Sequence, residues 1–162
     1  MSQRSVTHTT FTIERTFGAT PARVFAAFAS VEAKARWMFC HSEWEQSEFE
    51  IDFRVGGREY LRTGPKGGEA HIMSGIYQDI VPNERIIISF SMHLDDVKIS
   101  VSLVTIELKA SGDGTRLIFT EQGAFLDGLE DPSLREHGTR ELLDALGAEL
   151  ARQAAPAAVT SA

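Results

Sequence analysis

The stretch "SVSLVTIELKASGDGTRLIFTEQ", residues 100–122, decides the fold. Two runs alternate apolar and polar side chains on either side of "SGDGT". Val104, Ile106 and Leu108 share a face in the first run, and Leu117, Phe119 and Glu121 share one in the second. A period of two marks half-buried strands. The residues between them tolerate unusual backbone angles and favour a turn. The stretch therefore predicts an antiparallel hairpin with one apolar face, interrupted by the carboxylate of Glu121.

The same alternation continues towards the N-terminus. "RIIISFSM" places Ile86, Ile88, Phe90 and Met92 on one face, and Pro82-Asn83 separates it from the strand "HIMSGIYQDIV". In "FEIDFRV", Phe49, Ile51, Phe53 and Val55 alternate with Glu50, Asp52 and Arg54, so the strand is expected to reach Val55 and to send Arg54 outward. Gly56-Gly57 is then expected to reverse the chain into "REYLRT" as a two-residue hairpin with positive backbone angles. No helix N-terminus follows the glycine pair to hold an anion, which argues against a phosphate loop. The first strand is "FTIERTF", with Phe11, Ile13, Arg15 and Phe17 on one face. Thr20 can cap a helix that begins with Pro21, and Ser30 a second short helix carrying "VEAKARW".

The last element is a long helix, capped by Asp131, opened by Pro132 and ending near Gln153. Leu142, Leu143, Leu146 and Leu150 form its stripe at three- and four-residue spacing. Gly138 and Gly147 interrupt it; each costs about 1 kcal/mol relative to alanine, so a kink or a close approach to another element should compensate. The order β-αα-β-β-β-β-β-β-α, with short strand connections, predicts an α+β fold. Its antiparallel sheet of six or seven strands has one apolar face, which only the last helix is long enough to cover. A twisted sheet around one helix leaves space in which a ligand could sit.

The chain has 162 residues and a net charge of −7, from 23 acidic and 16 basic residues, with the basic ones scattered. That length suits a single domain over 1–162, with an ordered core at about 8–153 between a flexible polar N-terminus and an Ala-rich tail. An acidic, unclustered surface repels phosphate backbones and anionic lipids, which speaks against nucleic acid and membranes as partners. With one cysteine, Cys40, no apolar secretion signal and no apolar run of membrane length, the expected compartment is the cytoplasm. No segment matches a nucleotide-binding loop; "GPKGGE", residues 64–69, lies between two strands and reads as a hairpin loop.

Five segments taken in order carry a resemblance: "ATPARVFAAFAS" with Trp37, "FRVGGREY", "SGIYQDIVPNERIIISF", "VTIELKASGDGTRLIFTEQG" and the closing helix. From about Phe11 to Arg152 the chain resembles the SRPBCC superfamily, with its START-like (Bet v-like) helix-grip fold. Within it the chain is most similar to single-domain proteins named after the C-terminal domain of the activator of heat-shock-protein-90 ATPase. The resemblance implies a curved sheet gripping the C-terminal helix, with an apolar cavity between them. It does not imply one function, since the superfamily includes carriers, cyclases and aromatases, toxin-sequestering proteins and a chaperone co-factor. Many members open the last helix with Gly-Trp where this chain has Gly138-Thr139, which removes one aromatic wall.

The leading expectation is a protein that binds a small hydrophobic or amphipathic molecule, without cofactor and without catalysis. Trp37, Phe39, Trp44, Tyr60, Met73, Tyr77, Phe90, Met92 and Phe125 are the large side chains near the concave face, together with Phe119, Glu121, Leu142 and Leu146. Large side chains of this kind also simply close a core. Glu121 is the one candidate acid or base, because burial of a carboxylate is costly unless it is paired. It reads either as an acid/base of a cyclase-, aromatase- or hydrolase-type enzyme, helped by Tyr60 or His71, or as a structural carboxylate bonded to backbone amides or to an arginine such as Arg15. The histidines His8, His41, His71, His93 and His137 show no metal-ligand spacing. Cys40-His41 are adjacent, and neighbours in sequence rarely face each other as nucleophile and base. A chaperone-activating interaction domain and a homodimer complete the alternatives.

Overall fold

The computed structural model describes residues 3–39 and 44–154, except for the side chains of residues 44–47. The elements run β1 (Val6–Phe17), α1 (Pro21–Ala26), α2 (Val31–Met38), β2 (Trp44–Ile51), β3 (Arg58–Pro65), β4 (His71–Val81), β5 (Arg85–Leu94), β6 (Val97–Ser111), β7 (Gly114–Leu126) and α3 (Pro132–Ala154). The seven strands form one curved, open antiparallel sheet in the order β1-β7-β6-β5-β4-β3-β2. The first strand thus pairs with the last, and every other neighbour in the sheet is a neighbour in sequence.

The opening hairpin sets the register. Val104, Ile106 and Leu108 stand opposite Glu121, Phe119 and Leu117. On the far side of β7, Phe11 and Ile13 stand opposite Glu121 and Phe119. In these paired positions of β1, β7 and β6 the one polar side chain is Glu121. The α3 side chains Leu143, Leu146 and Leu150 join the same buried cluster as Ile13, Ile86, Val104, Ile106 and Leu117.

Local chemistry explains the helix starts. The Thr20 hydroxyl accepts from the Arg23 N–H before Pro21 opens α1, and the Ser30 hydroxyl accepts from the Ala33 N–H at 3.1 Å to open α2. The Asp131 carboxylate accepts from the Ser133 N–H at 2.9 Å at the start of α3. Gly147 approaches β1 closely, and a Cβ there would lie 3.1 Å from the Phe17 ring. Gly138, by contrast, faces open space.

The β2–β3 link departs from the expected two-residue hairpin. β2 ends at Ile51, and residues 52–57 form the connection. Only Gly56 has positive φ, at +83°. Gly57 is required by crowding instead, since a Cβ there would lie 2.0 Å from the Asp52 carbonyl oxygen. The glycine pair also docks on β4: the Gly56 N–H donates to the Tyr77 carbonyl and the Tyr77 N–H to the Gly57 carbonyl. Phe53 turns inward against Phe25 and Tyr77, but Val55 is exposed rather than sharing its face. Arg54 does point outward, where it pairs with Asp52 at 2.9 Å.

Candidate functional site

Two carboxylates of the sheet are buried beneath α2 and α3. Glu121 on β7 is 2% exposed and Glu59 on β3 is 0% exposed. Each needs compensation, because an unpaired buried charge is very costly.

Glu121 receives the Ser102 hydroxyl and the Arg135 Nη1–H, each at 2.7 Å and both on Oε2. Gly123, beside Ser102 in the ladder, leaves room for the Phe125 ring and the Ser102 hydroxyl, which a Cβ there would meet at 2.7 and 3.1 Å. Arg135 projects from the first turns of α3. Its Nε–H and Nη2–H also grip the two oxygens of Glu130 at 2.8 and 2.6 Å, and Nη2–H bonds the Ser100 hydroxyl at 2.8 Å. Its guanidinium carbon lies 5.8 Å from the Phe90 ring centre and 5.2 Å from that of Phe125. The expected partner Arg15 instead pairs with Asp144 on α3 at 3.0 Å. Arg15 stands opposite Leu117, four residues along β7 from Glu121 and out of its reach.

Glu59 receives the Lys34 ammonium on both oxygens, at 2.9 and 2.8 Å. The Tyr77 hydroxyl also donates to it. Burial, and the Glu59 charge beside it, hold the Tyr77 hydroxyl well above its ordinary range. Glu59 is absent from the sequence-based candidates, although the parity of "REYLRT" identifies it. Leu61 faces inward, so Glu59 does too, and Tyr60 faces the other side. Tyr60 accordingly packs under the Arg58 guanidinium at 4.3 Å, away from both carboxylates.

Between these ion pairs lies a pocket of about 220 Å³, lined mainly by apolar side chains of α2, α3 and the sheet. Trp37, Met73, Phe90, Met92, Phe119, Glu121 and Leu142 line it, with Glu59, Lys34 and Arg135. Trp37 is fixed by its indole N–H, which donates to the Ala27 carbonyl at 3.0 Å, and by edge contact with Phe28. A second pocket of about 370 Å³ adjoins the first, sharing Met38, Leu61, Arg135, Thr139 and Leu142. Phe39 and His71 line this second space, whose wall includes the exposed Leu134. Phe125 lies against Arg135, Tyr77 stands behind Glu59, and Leu146 is buried in the core. Glu121, Tyr60 and His71 therefore do not converge on one space. Thr139 is buried and donates its hydroxyl to the Arg135 carbonyl.

Cys40, His41 and the side chain of Trp44 lie outside the described residues. Among the described residues no group of three or more His, Cys, Asp or Glu is placed to hold a metal ion, and no helix is long and apolar enough to cross a membrane.

Comparison with known proteins places this architecture. A structure from Rhizobium loti is 50% identical, covering 90% of this chain and 99% of its own, with a TM-score of 0.84. One from Rhizobium leguminosarum is 43% identical, covering 93% of this chain and 99% of its own, with a TM-score of 0.88. An AHSA1-like protein from Aeromonas hydrophila, at 20% identity, 90% and 94% coverage and a TM-score of 0.68, shares the fold. No curated protein matches the chain. The family model described as activator of Hsp90 ATPase homolog 1-like protein matches residues 18–151, and with most of its length matched the chain belongs to that family.

Proposed function

We propose that this chain binds a small, largely apolar molecule in the pocket between the sheet and α3. The observation that carries the reading is the pocket's make-up: an apolar interior of about 220 Å³ whose two buried carboxylates are already paired with cations. Ligand sites characteristically combine an apolar lining with a few fixed polar groups. Here the polar groups are held by Ser102, Arg135, Lys34 and Tyr77 before any ligand arrives, so little ordering cost remains at binding.

The test is titration with the fluorescent probe 1-aminoanthracene. Binding should disappear in Val104→Trp, which fills the pocket from β6, while circular dichroism stays that of the folded chain. Unchanged binding in the filled variant would place the probe elsewhere and refute the reading. A second reading, acid/base catalysis by Glu121, draws on the fact that its bonding partners are side chains rather than backbone amides. It needs a second catalytic group, and Tyr60 is on the other face of the sheet.

A further inference from the structure

The charges around the two adjoining pockets do not balance. Among the described lining residues, Lys34 and Arg135 balance Glu59 and Glu121 around the first pocket, and Glu130 and the half-exposed Glu141 of the second bring the formal sum to −2 with histidines neutral. Both cations are already engaged. Arg135 has four of its five N–H groups bonded, three of them to carboxylates, and Lys34 contacts both oxygens of Glu59. A carboxylate entering here meets no uncompensated cation among the described lining residues and would add a like charge in a partly dry site. Acceptor capacity is what remains: two donors reach Glu121, both on one oxygen, where an ionised carboxylate offers about four lone-pair sites.

From this we infer that the ligand is an apolar molecule carrying a hydrogen-bond donor head, an amine or a hydroxyl, and that the pocket rejects carboxylate-headed amphiphiles. The inference rests on the pocket-binding reading above and names its ligand class. The apolar part lies among Met73, Ile88 and Phe119, and the donor head is directed to Glu121, on the Arg135 side that faces the second pocket.

The experiment compares three probes with one tail: octylamine, 1-octanol and octanoate. Each is titrated into the isotope-labelled chain at a pH above about 8, beyond the ordinary histidine range. The expected result is shifts at the Phe119 and Glu121 amides with octylamine and octanol, and octanoate weaker by about tenfold or more. In Glu130→Gln, which removes one negative charge, the gap should narrow about threefold or more. Octanoate binding as tightly as the amine overturns the donor-head inference but leaves the pocket reading intact. The same holds if 1-aminoanthracene binds and no octyl probe does. If neither the octyl probes nor 1-aminoanthracene binds, the pocket reading itself falls.

Discussion

Arg135→Met removes the cation that joins α3 to β7 and retains much of its length and apolar bulk. It leaves Glu121, whose side chain is 3% exposed, and Glu130, at 18%, without their shared partner. Breaking a buried pair from one side costs about 3–5 kcal/mol, because the surviving charge stays desolvated. That is a large share of the roughly 5–15 kcal/mol that stabilises a domain of this size. With a urea slope of about 2 kcal/mol/M, the unfolding midpoint should fall by about 2 M. Adding Glu121→Gln to the same variant removes the stranded charge, so the double variant should be less destabilised than the two single costs predict. The coupling between the two sites should be about 2 kcal/mol or more. The assay is urea unfolding followed by tryptophan fluorescence and circular dichroism together. A single-variant loss below about 1 kcal/mol, the range of exposed pairs, or strict additivity in the cycle, would refute the claim that this pair is a buried fastening.

Lys34→Met should behave similarly, losing about 3–5 kcal/mol in urea unfolding because Glu59 is fully buried, whereas Arg54→Ala, at an exposed pair, should change stability by less than about 0.5 kcal/mol. Gly138→Ala should stabilise the chain by up to about 1 kcal/mol, read as a rise in thermal midpoint, since a Cβ there meets nothing within 4 Å. Tyr77 should keep its proton well above the ordinary value of 10.0, because burial and then the Glu59 charge oppose ionisation in the folded state. The folded value lies above the unfolded one, so this contribution to stability is complete below pH 10 and is lost as pH rises beyond it. In Tyr60→Phe, tyrosinate absorbance should therefore appear together with alkaline unfolding, and its appearance in the folded chain near pH 10 would contradict the burial of that hydroxyl.

Much of the architecture was legible because strand parity depends only on neighbouring residues. The alternation in residues 104–121 placed Glu121 inward, and the caps Thr20, Ser30 and Asp131 marked the starts of the helices. Parity misled at residues 52–55, where alternation continues into a loop. What fixes the loop there is tertiary: the backbone bonds of Gly56 and Gly57 to Tyr77 on β4. The partner of Glu121 was not legible, because Arg135 lies on another element and its reach depends on how α3 crosses the sheet. Glu59 was accessible to the same parity reasoning, with Leu61 as the reference. Its pairing with Lys34, 25 residues away on α2, was not. Pocket volume is likewise a property of packed side chains, and sequence alternation does not measure it.

The central claim, that the space beneath α3 holds a small molecule, is tested most directly by native mass spectrometry of the chain purified under mild conditions, beside its Val104→Trp variant. The account predicts a reproducible small-molecule adduct on the unaltered chain that is missing from the filled variant. Identical spectra for the two proteins, with no adduct or with the same adduct on both, would contradict it.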